Sequence, residues 1–177
     1  MKRPTAERVD VKLLALEKAT LSETYPILAM HRLTPSLADT QGEARASFRF
    51  YRVVDRSALD GEVEAQVSLI CQRCMTPMTL GLEARLELVF VESESRITAD
   101  LPEGLEPALA PEGRVSLAEL VEDELLLALP LVARHSNVAD CERAGLNPEL
   151  LVPDAEEGPG EDTVQRPFAN LRDWLKK

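Results

Sequence analysis

A regular alternation of apolar and polar residues, in three successive segments between residues 43 and 90, most constrains the fold of this chain. Apolar residues take almost every second position of the segments 43–50, 62–69 and 79–90. Successive side chains of a β-strand point to opposite faces of a sheet, so the pattern predicts three strands with one buried and one wet face. We expect a turn at Asp60-Gly61 and short connections throughout. The segments therefore predict an antiparallel meander.

The flanking segments predict few helices. Ser116 and Glu119 form a capping box, which predicts that the main helix begins there, and Pro130 is expected to stop or kink it. Because residues 125–129 are all apolar, we expect this end of the helix to be buried on most sides. Asp10 predicts the cap of a short helix that follows a short strand. Residues 98–114 hold three prolines among acids and predict a loop.

These elements predict an α+β fold: an antiparallel sheet with a cysteine knuckle, covered by one main helix, plus short terminal helices. We expect a single domain over residues 1–152. Residues 153–165 are rich in proline, glycine and acids and predict a flexible linker. Residues 166–177 predict a short amphipathic helix, with proline near its start and lysines at its end.

The charge of the chain limits its partners. Thirty-one acids against twenty bases give a net charge of −11, which discourages indiscriminate binding to nucleic acid. Residues 31–56, however, hold five arginines against three acids. Arg45 and Arg49 share the strand face opposite Phe48, which predicts a basic stripe without an aromatic stacking platform. The residues expected to contact RNA are Arg45, Arg49, Arg52 and Arg56.

Acidic and aromatic residues near the C-terminus predict contacts with a partner. Glu122, Asp123 and Glu124 lie on the main helix, where a solvated face is favoured over acid–base pairs or magnesium ligands, and where the acids also suit contact with a basic partner. Trp174 lies on the terminal helix and is either docked on its own domain or an anchor for a partner.

The three cysteines predict a metal site. Cys71 and Cys74 lie between two predicted strands, in a turn that can hold half of a tetrahedral thiolate site. His135 and Cys141 follow the main helix and complete a Cys3His set that suits zinc. The alternatives are a metal-free group of buried thiols and a redox pair. No βαβ pattern surrounds the cysteines, which disfavours the redox alternative.

The sequence lacks the common catalytic motifs, so we expect a protein without catalytic residues. The sequence contains no Gly-x-Ser-x-Gly, no glycine-rich phosphate loop and no His-Glu-x-x-His. His31 is expected to be at the surface or partly buried rather than a ligand. The first residues do not form an export signal, and no run of eighteen apolar residues is present, so we expect a cytoplasmic protein without a membrane span.

Four stretches together resemble one family. They are the Cys71–Cys74 pair after an alternating strand, the acid-leucine-proline segment 121–132, His135 followed by Cys141, and residues 166–171, Arg-Pro-Phe-Ala-Asn-Leu. In order and spacing the chain resembles the YceD family, the large ribosomal RNA subunit accumulation proteins, from about residue 10 to the end.

The resemblance implies a cytoplasmic factor, encoded in many bacteria beside a large-subunit ribosomal protein, that supports synthesis, processing or stability of large-subunit (23S) ribosomal RNA. It implies no catalytic residue. The expected partners are that RNA, its precursor particles or a basic large-subunit ribosomal protein. The alternatives are a thiol redox or metal-handling protein and an acidic, chaperone-like binder of a ribosomal protein.

Overall fold

A computed structural model describes residues 8–97 and 101–147 of the chain. In this part of the chain the strands are β1 (Arg8–Asp10), β2 (Thr20–Pro26), β3 (Glu43–Val53), β4 (Arg56–Ile70), β5 (Pro77–Val91), β6 (Glu106–Leu109) and β7 (Arg114–Ser116). The helices are α1 (Val11–Glu17), α2 (Leu117–Ala128) and α3 (Val138–Arg143). This confirms the α+β class. The predicted linker 153–165, the terminal helix 166–177 and Trp174 lie outside the described residues.

The main sheet has the strand order β2-β3-β4-β5-β6. Its first four strands are antiparallel neighbours, whereas β6 runs parallel to β5. One face is covered by α1 and α2 and buries alternate residues of the sheet, such as Phe48, Leu59 and Leu86. Strands β1 and β7 pair separately. No helix among the described residues is both long and apolar enough to cross a membrane.

Both predicted helix starts are confirmed. The Asp10 carboxylate accepts hydrogen bonds from the backbone N–H groups of Lys12 and Leu13 at 2.9 and 3.1 Å, which caps α1. The Ser116 hydroxyl accepts from the N–H of Glu119 at 3.3 Å, and α2 ends at Ala128, before Pro130. These side chains satisfy N–H groups that have no partner within their helices.

The predicted turn at Asp60-Gly61 is wrong, because β4 runs without a break through both residues. The turn lies at Val54 and Asp55, between β3 and β4. A Cβ atom on Gly61 would lie 3.0 Å from the carbonyl oxygen of Ser47, so glycine is required by close packing between strands.

Residues 98–114 are not simply a loop, since they include β6 and the start of β7. Pro107 lies in β6 at the edge of the sheet, where the missing N–H of proline is tolerated. Strand β2 was not predicted, because as an edge strand it exposes most of its side chains and lacks the alternation. The end of α2 is buried on most sides, as expected, because Leu125 is buried and Leu126, Ala128 and Leu129 are partly buried against the core, but Leu127 is 79% exposed.

Candidate metal centre

The connection between β4 and β5 forms a tight knuckle that carries two of the cysteines. The N–H of Cys71 donates to the carbonyl oxygen of Thr76 at 2.9 Å, and the N–H of Met75 donates to that of Cys71 at 2.8 Å. Met75 has a φ of 60°, in the left-handed region, which lets the chain reverse just after Cys74. Both cysteines are thereby held on a short closed turn.

The other half of the centre comes from the chain that follows α2. The N–H of Gln72 donates to the carbonyl oxygen of Ala133 at 2.7 Å, which brings His135 beside the knuckle. Asn137 then caps α3 by accepting the N–H of Asp140 at 2.8 Å. Cys141 lies on this helix and is completely buried. Two separate parts of the sequence therefore meet at one point.

The four side chains present a compact set of ligand atoms. Each offers one atom, and all four atoms lie within 4.8 Å of one another. The Sγ atoms of Cys71 and Cys141 are 3.8 Å apart, and Nδ1 of His135 lies 3.4 Å from the Sγ atoms of Cys74 and Cys141. In a tetrahedral zinc site, bond lengths of about 2.3 and 2.0 Å give sulfur–sulfur edges of about 3.8 Å and sulfur–nitrogen edges of about 3.5 Å. These three of the six ligand–ligand separations agree with those values, and the other three are no longer than 4.8 Å.

Backbone N–H groups surround the Cys71 sulfur. Burial by itself raises the pKa of this thiol, but the N–H groups of Cys74, His135 and Arg73 stabilise the thiolate and lower the pKa to about 5. The N–H groups of Arg73 and His135 each lie 3.4 Å from the sulfur. At Cys141, by contrast, burial and the neighbouring thiols raise the pKa. The arrangement favours one thiolate, which is the form that ligates a metal.

Two residues of the centre were not predicted from the sequence. Nη1 of Arg73 lies 3.7 Å from the Sγ of Cys141, and Oγ1 of Thr76 lies 3.1 Å from the Sγ of Cys74. The Arg73 cation offsets part of the negative charge that three thiolates would carry, and the Thr76 hydroxyl can donate a hydrogen bond to one of them. The position of Arg73 between the two cysteines was the signal that could have indicated its role.

Comparison with known proteins decides the family. The sequence model for the large ribosomal RNA subunit accumulation protein YceD matches residues 59–175. This chain belongs to the YceD family. The Haemophilus influenzae large ribosomal RNA subunit accumulation protein YceD is 38% identical over 117 residues, which cover 64% of this chain and 66% of that protein. The match thus spans just under two thirds of the relative's length. No solved structure matches the chain.

All four candidate ligand residues lie within the segment that matches the YceD family, whereas the predicted RNA-contacting arginines precede it. Arg45 and Arg49 are both exposed on the face of β3 opposite Phe48, whereas Arg52 and Arg56 lie near the end of β3 and at the start of β4. Arg49 forms an ion pair with Asp60 and lies over the ring of Tyr51 at 5.9 Å. Arg45 is exposed on the same strand, while Arg52 and Arg56 line a cavity at the end of the sheet. Contact with RNA stays a prediction for each.

The acids of α2 differ in their environments. The interpretation as a solvated face is wrong for Glu122, which is only 8% exposed and is paired with Arg32. Asp123 is exposed and also pairs with Arg32, while Glu124 is partly buried, which raises its pKa. Their contact with a partner stays a prediction. His31 is exposed, as expected.

Proposed function

We propose that this chain supports the accumulation of large-subunit ribosomal RNA as a non-catalytic factor in the cytoplasm. The observation that carries the proposal is the YceD family match over residues 59–175, which contains the whole metal centre. The Haemophilus influenzae relative is named for this role. The chain would act on the large-subunit RNA or on its precursor particles.

We further propose that Cys71, Cys74, His135 and Cys141 hold a zinc ion with a structural role. Three thiolates and one imidazole are a donor set that zinc prefers, and four protein ligands leave no open position for a substrate or for water. The ion would join the β4–β5 knuckle to the segment after α2. Such a closed site supports the proposal of a binding factor better than that of an enzyme.

The experiment is complementation of a bacterial strain depleted of its own YceD family member. The wild-type chain is expected to restore the ratio of large-subunit to small-subunit ribosomal RNA and to co-sediment with precursors of the large subunit. Recovery only as free protein, together with an unrestored ratio, would contradict the proposal. Co-sedimentation with an isolated basic ribosomal protein alone would indicate the chaperone-like alternative.

A double variant, Cys71→Ser with Cys74→Ser, separates the structural role from thiol chemistry. If the cysteines hold a structural zinc ion, the variant loses zinc, stability and RNA accumulation together. If it keeps RNA accumulation and loses only thiol reactivity, the redox or metal-handling alternative is correct. Circular dichroism before and after chelation of the wild-type protein measures the structural contribution of the metal independently of the substitutions.

A further inference from the structure

A cavity of about 400 Å³ opens at the end of the sheet where β4 begins, opposite the end that carries the metal centre. It lies between α1, the β3–β4 turn and the chain that follows β5. Leu16 and Phe90 supply apolar parts of its wall. A volume in this range suits a small ligand or one unit of a polymer.

The cavity has a surplus of positive charge. Its cations are Lys12, Arg52, Arg56 and Arg96, and its acids are Asp55 and Glu92. The Lys12 ammonium pairs with Glu92 at 2.7 Å. Among the described residues, no ion pair or hydrogen bond engages the side chains of Arg52 and Arg56. A chain with a net charge of −11 therefore presents a confined positive site.

Arg56 carries the sharpest indication of a missing ligand. Its Nη1 atom is buried, and no described residue accepts a hydrogen bond from it. A buried donor on a charged group is costly when unpaired, and native proteins pair nearly all such donors. Arg56 as a whole is only partly buried and lines the cavity, so part of the residue is open to a ligand there. Guanidinium groups bind phosphate oxygens through two parallel N–H donors.

We propose that this cavity binds a phosphate group of RNA, with Arg52 and Arg56 as the main contacts and Arg96 at its edge. The identity of the ligand as RNA rests on the proposed function; the phosphate site itself rests on the geometry. The net charge of −11 repels a polyanion overall, so contact with RNA needs a local basic site such as this one. Free nucleotides carry the same phosphate chemistry and are distinguished in the test.

The test measures binding of a labelled short single-stranded RNA to the full chain by fluorescence anisotropy, over a series of salt concentrations. Arg52→Gln and Arg56→Gln are each expected to weaken binding about tenfold, because a hydrogen bond to a charged group is lost. Each should also reduce the slope of the logarithm of the binding constant against the logarithm of the salt concentration by about one, which corresponds to one lost phosphate contact. Arg56→Lys keeps the charge but not the paired donors, so its affinity for RNA should lie between those of the wild type and Arg56→Gln.

Arg85→Gln is the matched control. Arg85 lies on β5 with its side chain 80% exposed, away from the cavity, and its substitution removes the same charge. Its affinity should stay within about twofold of wild type, because exposed charges contribute little individually. Equal losses in Arg85→Gln and Arg56→Gln would overturn the proposal, since binding would then follow net charge alone. Unchanged affinity in both cavity variants, confirmed as folded by circular dichroism, would also overturn it.

Competition identifies the source of the phosphate. If adenosine monophosphate or inorganic phosphate displaces the RNA from wild type and binds more weakly to Arg56→Gln, the cavity accepts free phosphates too. If only RNA competes, the site requires the polymer. Expression of the wild type and of the same variants in the depleted strain separates this proposal from the proposed function. If the wild type restores ribosomal RNA but RNA binding does not depend on the cavity arginines, only the cavity proposal is refuted. If the wild type does not restore ribosomal RNA, the proposed function is refuted, whereas the binding measurements still decide the phosphate site.

Discussion

Arg32 and Glu122 form an ion pair at 3.1 Å across ninety residues of sequence. The same carboxylate accepts hydrogen bonds from the backbone N–H groups of Arg32 and Leu33, the latter at 3.1 Å. Glu122 is nearly buried, so these donors replace the water it loses. The pair joins α2 to the segment between β2 and β3, and therefore holds the helix against the rest of the domain.

Removing this carboxylate should destabilise the fold strongly. Glu122→Ala leaves two backbone N–H groups and a guanidinium without their acceptor, and we expect a loss of about 3 kcal/mol in the free energy of unfolding. Asp123→Ala is the control, because that exposed ion pair to Arg32 should contribute less than about 1 kcal/mol. Urea unfolding measures both. Similar losses in the two variants would show that burial of Glu122 has no special effect.

The metal centre predicts a defined metal content. Purified wild-type protein should contain about one zinc ion per chain by elemental analysis, as the four-ligand set requires. His135→Ala should lose most of the zinc and unfold at a lower temperature, because the metal stabilises only the folded state. His31→Ala removes an exposed histidine outside the centre and should keep both properties. Zinc retained at wild-type affinity in His135→Ala would exclude that residue as a ligand.

Two strand glycines should respond differently to an added methyl group. At Gly61 the new Cβ would lie 3.0 Å from the Ser47 carbonyl oxygen and 3.2 Å from side-chain carbons of Phe48 and Leu86, whereas at Gly81 nothing lies within 4 Å. Gly61→Ala should therefore cost about 1–3 kcal/mol of stability through overpacking. Gly81→Ala should be neutral or stabilising by a few tenths of a kcal/mol, roughly, through reduced freedom of the unfolded chain. Thermal unfolding of both variants measures the difference, and equal effects would contradict the packing argument.

Both tyrosine side chains should ionise at a higher pH than a free tyrosine does. Burial raises the pKa of Tyr25 to about 12, and burial together with a 2.8 Å hydrogen bond to Asp60 raises that of Tyr51 to about 12. Because each folded pKa lies above the unfolded value of about 10, the stabilisation is fully present below pH 10 and is lost as the pH rises towards 12. Ultraviolet absorbance of phenolate, followed with pH, measures this. Half-ionisation near pH 10 while the protein is still folded would refute the prediction, and Tyr51→Phe assigns the remaining absorbance change to Tyr25.

The sequence predicted a structural element correctly wherever a few neighbouring residues determine that element. Alternation predicted β3, β4 and β5, because their inner side chains all face one core. The capping signals of Asp10 and Ser116 predicted the starts of α1 and α2, since a cap depends on only three or four residues. The donor types alone grouped Cys71 and Cys74 with the later histidine and cysteine.

The misses depended on contacts between distant parts of the chain. Gly61 looks like a turn residue until the neighbouring strand places Ser47 against it. Glu122 looks like part of a solvated acidic face until the chain returns Arg32 to it. The cavity needs α1, the β3–β4 turn and the chain after β5 at once. No window of sequence contains such tertiary proximity, so propensity and pattern cannot predict it.

Strand β4 fixes the spacing of the two candidate sites. It begins at Arg56, on the cavity, and its fifteen residues end at Ile70, next to Cys71 of the metal centre. At roughly 3.3 Å per residue an extended strand of this length measures about 45 Å. Hydrogen bonds to β3 and β5 on either side keep it from bending freely. The two candidate sites therefore lie at opposite ends of one strand, and a partner that touches both must reach along it, over a length on the order of 45 Å for an extended strand.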